Sequence, residues 1–228
     1  MKNGTPQWTQ HRKAALVLDI LQGRTTPADA SQQHALPLSE IEHWVTQGTR
    51  GLEDAFHDGR TLYIDLDGVM ADFDTAFPVI FGLDHRTLDD DVLWQHVNGH
   101  PSFFRDLPPM RGAVEFFRSV EHLQPVILTA CPKSNYTVAA QQKRAWVREH
   151  LSATCLVLPV LGGVNKPLFM HQAGDVLIDD WSKNCVAWTA AGGVAIQHKG
   201  DWVATRGSLQ AAGMGAMPAG EVEYSIAG

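Results

Sequence analysis

A short apolar run that ends abruptly in two acids constrains this chain more than any other stretch. Leu62, Tyr63 and Ile64 read as a β-strand, and Asp65, Asp67 and Gly68 follow at once. A buried strand that delivers carboxylates to its own C-terminal end suits an open α/β sheet, where strand ends and the loops after them make the ligand crevice. Asp and Gly are also common turn residues, so an acidic turn is the plainer alternative, and the downstream pattern has to decide. Two residues apart, Asp65 and Asp67 would face opposite sides of an ideal strand. The chain must therefore begin to turn at Leu66 if both are to serve one site.

Downstream, strands alternate with helices. Ala113, Phe116, Phe117, Val120 and Leu123 mark a helix, and residues 125–131 (PVILTAC) form a buried strand that reaches small polar chemistry at Thr129. A helix over about 137–151 follows, with Ala145, Trp146 and Val147 inward and Lys143, Arg144 and Arg148 on its charged side. A strand over 155–160 leads to the loop LGGVNKP with Lys166, and a strand over 175–178 runs into Asp179 and Asp180. A helix over 184–191 and a strand over 193–197 complete the pattern, and the tail after about Gly207 is rich in Gly and Ala and poorly specified. Residues 77–109 are too long for a simple loop and carry their own aromatics, which predicts a small cap inserted after the first strand.

Such alternation implies a parallel sheet, so the strand ends share one edge. That edge then collects Asp65, Asp67, Thr129, Lys166, Asp179 and Asp180. Carboxylates from two strand ends make a hard-oxygen site suited to Mg²⁺, which favours one or two carboxylates together with water and phosphate oxygens. Lys166 and Thr129 add a cation and a hydroxyl donor. Lys143 competes with Lys166 for the cationic role, but its mid-helix position reads as a solvated face, which favours Lys166.

The chain has 228 residues, enough for one main domain and a small appendage, and 44% hydrophobic residues with seven Trp supply a core. A net charge of −7 weighs against nonspecific binding of polyanions. Cys131, Cys155 and Cys185 lie far apart without metal-type spacing, and the first residues lack the apolar run of a signal peptide. A reduced, cytoplasmic setting with no membrane association is the expectation.

Residues 1–60 differ in character from the rest. A helix carrying Ala14, Ala15, Leu16, Leu18, Ile20 and Leu21 ends at Gly23, and Thr26 caps a second helix with Pro27 at its first position. Leu38, Ile41, Trp44, Val45, Leu52 and Phe56 trace a third apolar face, and His57 to Arg60 read as a hinge. This arrangement is similar to the helix-turn-helix at the start of insertion-sequence transposases, which raises DNA as a partner. The leading positions of the third helix, however, are Ser39, Glu40, Glu42 and His43, and six basic against seven acidic residues leave the segment without a basic footprint. Packing on the main domain or on a partner is the favoured role, with a homodimer left open.

At its strand ends the sequence resembles the haloacid dehalogenase superfamily of aspartate-nucleophile phosphatases. Asp65-Leu66-Asp67-Gly68 matches the first motif, Val126 to Thr129 the second, Lys166 the third, and Ile178-Asp179-Asp180 the fourth, in the family's order. The stretches DLDGVMADF, FFRDLPPMRGAVEFF, KRAWVREHL and VLIDDW are most similar to the 5'(3')-deoxyribonucleotidases. The resemblance implies a Rossmann-like three-layer fold with a small, mainly helical cap, and a Mg²⁺-dependent phosphomonoesterase acting on nucleoside monophosphates.

It further implies Asp65 as nucleophile, Asp67 as acid and base, Thr129 with the backbone N–H of Ala130 on the phosphoryl group, and Lys166 as the neutralising cation. Asp180, or in second place Asp179, would ligate the metal with Asp65 and the backbone carbonyl of Asp67. Phe73 with one or both of Phe103 and Phe104 would wall a base pocket, with Lys143 a further substrate contact. Ala130 and Trp181 depart from the family, which carries a second hydroxyl at the first position and often arginine at the second. The alternative is a DNA- or protein-binding regulator whose phosphatase-like domain senses a phosphorylated ligand.

Overall fold

The computed structural model describes residues 8–56 and 59–214. His57 and Asp58 of the expected hinge, the first seven residues and the end of the tail lie outside the described residues, as do the side chains of Leu52 and Phe56. The chain divides into two units between Gly59 and Arg60.

The first unit holds α1 (Gln10–Leu21), α2 (Pro27–His34) and α3 (Leu38–Phe56). Thr26 caps α2 by accepting a hydrogen bond from the Asp29 N–H at 3.1 Å, and Pro27 occupies the position where a missing donor costs nothing. Leu16, Val17, Ile20, Ala30, Ile41 and Trp44 form the unit's own apolar cluster, with Trp8 packed against it. Leu38, expected on that apolar face, is exposed, and Ser39, Glu40, Glu42 and His43 stand exposed beside it.

In the second unit β1 (Leu62–Ile64) is followed by α4 (Phe73–Phe81), α5 (Asp90–Gly99) and α6 (Ala113–Val120). Then come β2 (Val126–Cys131), α7 (Tyr136–His150), β3 (Val157–Leu161), β4 (Val176–Asp179), α8 (Ser182–Ala190), β5 (Val194–Gln197) and α9 (Trp202–Ala211). The five strands pair in parallel in the order β3-β2-β1-β4-β5. Side-chain alternation separates two cores. Leu62, Ile64, Ile127 and Ile178 pack with Phe116 of α6, Trp146 of α7 and Leu209 of α9, whereas Tyr63, Leu128 and Leu177 pack with Trp188 of α8. The result is a three-layer, Rossmann-like sandwich. From β1 the chain moves outward to β2 and β3, then crosses to β4 on the other side, so the C-terminal end of β1 is the switch point where such sheets bind ligands.

The inserted segment leaves and returns through a narrow neck. Asp72 N–H donates to the Pro108 carbonyl and Met110 N–H to that of Met70, both at 2.8 Å, so the insertion begins at Phe73. Its core is aromatic, with Phe77 against Phe81 at 4.7 Å and against Phe103 at 6.1 Å between ring centroids. Gln142 of α7 holds the returning chain by its amide, at the Phe104 N–H and the Pro101 carbonyl, and the Trp146 indole donates to the Leu107 carbonyl.

Two expectations need correction here. The stretch around Gly207 is not unspecified, since α9 runs through it, started by the Asp201 carboxylate that accepts from Val203 N–H at 2.8 Å. Lys143 is not on the solvated face of α7. It is fully buried, on the face that also buries Ala139, Ala140, Trp146 and Val147.

Candidate active site

Pairing of β1 with β4 continues one residue past the strand, because Asp65 N–H donates to the Ile178 carbonyl at 2.8 Å. The chain then turns on Leu66, whose carbonyl accepts from Met70 and Ala71 N–H at 2.8 Å each. This turn parts the two acids. Asp65 Oδ1 pairs with Lys166 Nζ at 2.8 Å, while Asp67 Oδ2 accepts from Lys143 Nζ. Gly68 is required for the fit of the turn, since it sits at a φ of +77° and a Cβ there would run into the Asp180 carboxylate.

Asp65, Asp179 and Asp180 each offer a carboxylate oxygen, and the three oxygens lie within 4.8 Å of one another. Asp179 is heavily committed. Its Oδ2 accepts from Lys166 at 2.6 Å, its Oδ1 from Trp181 N–H at 2.9 Å, and both from the Asn184 amide at 3.1 Å. Asp180 has no side-chain hydrogen bond to another described residue, so its carboxylate is the freer donor. Burial, reinforced by the charge of Asp65, raises Asp179 to about 6 and Asp180 to about 7. Three crowded oxygen donors with this much uncompensated negative charge fit a hard divalent cation. Burial alone would lower Lys166, but the Asp65 and Asp179 carboxylates outweigh it and raise it, so it remains an ammonium.

The second lysine closes the other side of the site. Lys143 Nζ donates to Asp67 Oδ2, to Thr129 Oγ1 at 3.0 Å and to the Ala130 carbonyl at 2.5 Å, and it lies 4.4 Å above the ring centre of Phe104. Burial of its ammonium is tolerable because every donor finds an acceptor. Asp67 is raised above the ordinary carboxylate range by burial, with Lys143 opposing. Its Oδ1 is buried without a hydrogen-bond partner. Cys131, next along β2, is pushed up by burial and is no ready nucleophile.

The sheet edge therefore gathers Asp65, Asp67, Thr129, Lys143, Lys166, Asp179 and Asp180. Of the three rings expected at a base pocket, Phe103 and Phe104 expose 0% and 3% of their surface and belong to the core, while Phe73 is half-buried with open surface. Phe103 and His85 meet the Phe73 ring edge-on at 5.3 and 5.5 Å. Asn184, which braces Asp179, escaped the sequence reading, although an amide in the first turn of the helix after the acidic pair was a usable signal. Trp181, at the head of that helix, is half exposed beside Lys183.

A parallel sheet in this order, with a buried aspartate after β1, a threonine on β2, a buried lysine before β4 and an acidic pair at its end, is the architecture of the haloacid dehalogenase-type phosphatases. The family model described as "5' nucleotidase, deoxy (Pyrimidine), cytosolic type C protein" matches residues 86–201, just over half the chain. That span takes in Thr129, Lys143, Lys166, Asp179 and Asp180, and it starts after Asp65 and Asp67. A Bordetella pertussis protein named "Putative 5'(3')-deoxyribonucleotidase" is 30% identical over 139 residues, covering 52% of this chain and 73% of the relative. The protein of the same name from Bordetella bronchiseptica is 29% identical over the same shares. A haloacid dehalogenase hydrolase of family IA, variant 3, from Entamoeba histolytica aligns with 62% of this chain and 85% of its own at a TM-score of 0.39 and 14% identity, too slight a likeness to argue from. The chain belongs to the family of cytosolic type C 5'-nucleotidases, and it is a haloacid dehalogenase-type phosphatase. Residues 1–85 lie outside the family match, and nothing in these likenesses bears on a helix-turn-helix.

Proposed function

We propose that this chain hydrolyses 5'-phosphates of (deoxy)ribonucleosides through an aspartyl-phosphate on Asp65. The reading rests on one observation above all, the parting of two neighbouring acids to two different buried lysines, Asp65 to Lys166 and Asp67 to Lys143. One acid thus stands within the cationic and acidic cluster, and the other keeps one buried oxygen without a hydrogen-bond partner.

Asp65 attacks phosphorus, and the bond from phosphorus to the ester oxygen breaks. Asp67 gives its proton to that departing oxygen, then takes one from the water that cleaves the aspartyl-phosphate and restores Asp65. Thr129 Oγ1 and the Ala130 N–H hold the transferring group, and Lys166, with two carboxylate partners for three ammonium hydrogens, has one left for a phosphate oxygen. Asp65 and Asp180, with the backbone carbonyl of Asp67, would hold Mg²⁺, which when bound supplies positive charge against the phosphate oxygens. Asp179 serves this site by fixing Lys166. Phe73 offers its ring to the base, a contact worth ~1–3 kcal/mol in single-strand binders, while Phe103 supports it from behind.

Asp65→Asn tests the reading. The variant should fold, bind a nucleoside monophosphate and lose turnover by at least ~10⁴-fold, as expected when a covalent nucleophile is removed. Wild-type rates from this variant on a panel of nucleoside monophosphates would refute the assignment.

A further inference from the structure

We propose that Lys143 is a positioning residue for the acid and base of this reaction and not a ligand of the phosphate, an inference that rests on the function proposed above. A lysine ammonium has three hydrogens to donate. All three are taken here, by Asp67 Oδ2, Thr129 Oγ1 and the Ala130 carbonyl, in a residue as fully buried as Lys166. Lys166, by contrast, has two carboxylate partners and one hydrogen to offer. The two lysines therefore divide the work, one meeting the phosphate and the other setting the groups around it.

What Lys143 sets can be read atom by atom. An ammonium N–H needs an unprotonated acceptor, so its bond to Oδ2 obliges a protonated Asp67 to carry its proton on Oδ1. Oδ1 is the oxygen without a partner. The same ammonium occupies a lone pair of the Thr129 oxygen, which turns that hydroxyl's own hydrogen outward as a donor. Its third bond, to Ala130, ties both groups to the end of β2. The Phe104 ring beneath it, at 4.4 Å, fixes the ammonium from the side of the insertion. When the ester bond breaks, the electron pair goes to the ester oxygen, the Oδ1 proton follows it, and the Asp67 carboxylate that remains is already paired with Lys143. No other reactant is needed.

A residue that acts through the general acid is distinguished by the leaving group. A nucleoside departs as an alkoxide and needs the proton, whereas 4-nitrophenolate is stable as an anion and needs little help. The measurement is kcat/KM of the full chain with Mg²⁺ on a nucleoside 5'-monophosphate and on 4-nitrophenyl phosphate, a ratio that is blind to the later hydrolysis step common to both. Lys143→Met should lower kcat/KM by about 100-fold on the nucleotide and by less than about 10-fold on the aryl ester, since proton transfer contributes typically 10²–10⁴-fold. Equal losses on both esters would make Lys143 a phosphate ligand and overturn the proposal, and no loss on either would do the same.

If Lys143→Met leaves Asp67 unpaired and misfolds, the double variant removes both partners of the pair. Adding Lys143→Met to Asp67→Asn should cost less than about 10-fold further in kcat/KM on the nucleotide, the share that runs through Thr129, because the rest of the lysine's effect runs through the acid. An additive loss would overturn the proposal. Asp65→Asn run alongside separates the two readings. Turnover surviving in it would remove the proposed function and this inference together, while its loss combined with equal Lys143→Met losses would remove the inference alone.

Discussion

Asp179 and Asp180 stand side by side at the end of β4 with different work. Asp179 is built into a web of Lys166, Asn184 and the Trp181 amide, and Asp180 makes no side-chain hydrogen bond to another described residue, which suits the cation-binding role proposed for it. Both titrate high, at about 6 and about 7, because burial and then the charge of Asp65 favour their protonated forms. Between the ordinary carboxylate value and that range the folded chain binds more protons than the unfolded chain. Without metal, these two groups therefore make stability fall as pH rises through about 6 to 7. A divalent cation binds the deprotonated acids and opposes that fall. Thermal melts should show a larger rise in Tm on adding Mg²⁺ at about pH 8 than at about pH 5.5, and the difference should shrink in Asp180→Asn. A shift of equal size at both pH values would show that these acids are not the binding groups.

At the scale of elements, the strands and the acids at their ends are legible because buried parallel strands write themselves as short apolar runs, such as residues 126–128 and 176–178, whereas the order of the strands in the sheet is not. The face of α7 was misread. Lys143 looks like a solvated lysine until its spacing to Trp146 and Val147 is weighed, and a charge buried by partners 14 and 76 residues away leaves no local trace. The helix α9 was hidden by its Gly and Ala content, although Asp201 before Trp202 is a fair start signal. Which aromatic ring stays open to a ligand is only partly legible, since apolar spacing does not tell a ring that packs from one that keeps open surface. Phe77, fully buried among Phe73, Phe81 and Phe103, is what makes the insertion a unit. Phe77→Ala should cost about 3–5 kcal/mol in urea unfolding and raise KM for nucleotides through a loosened Phe73. An unchanged KM in a destabilised variant would detach Phe73 from base binding.

Over the whole molecule, every residue given a chemical role lies in the unit that starts at Arg60. The Arg60 guanidinium donates to the Ala212 carbonyl at 2.8 Å, so that unit is best cut just before it. We expect residues 60–228 alone to keep the nucleotidase turnover of the full chain, measured as phosphate release. Loss of activity from a folded fragment would give the first unit a part in the reaction. Among the described residues no helix is long and apolar enough to cross a membrane, and the first unit carries an apolar cluster of its own. The acids exposed at the start of α3 leave it poorly suited to meet phosphates.

The proposed covalent step can be tested directly. The enzyme, quenched in acid during turnover of a nucleoside monophosphate and reduced with borohydride, would be digested and its peptides weighed. An aspartyl-phosphate at position 65 would be reduced there to homoserine, and we expect that change at residue 65, absent in Asp65→Asn. Turnover without any modified aspartate, or with the modification at Asp67, Asp179 or Asp180, would contradict the mechanism.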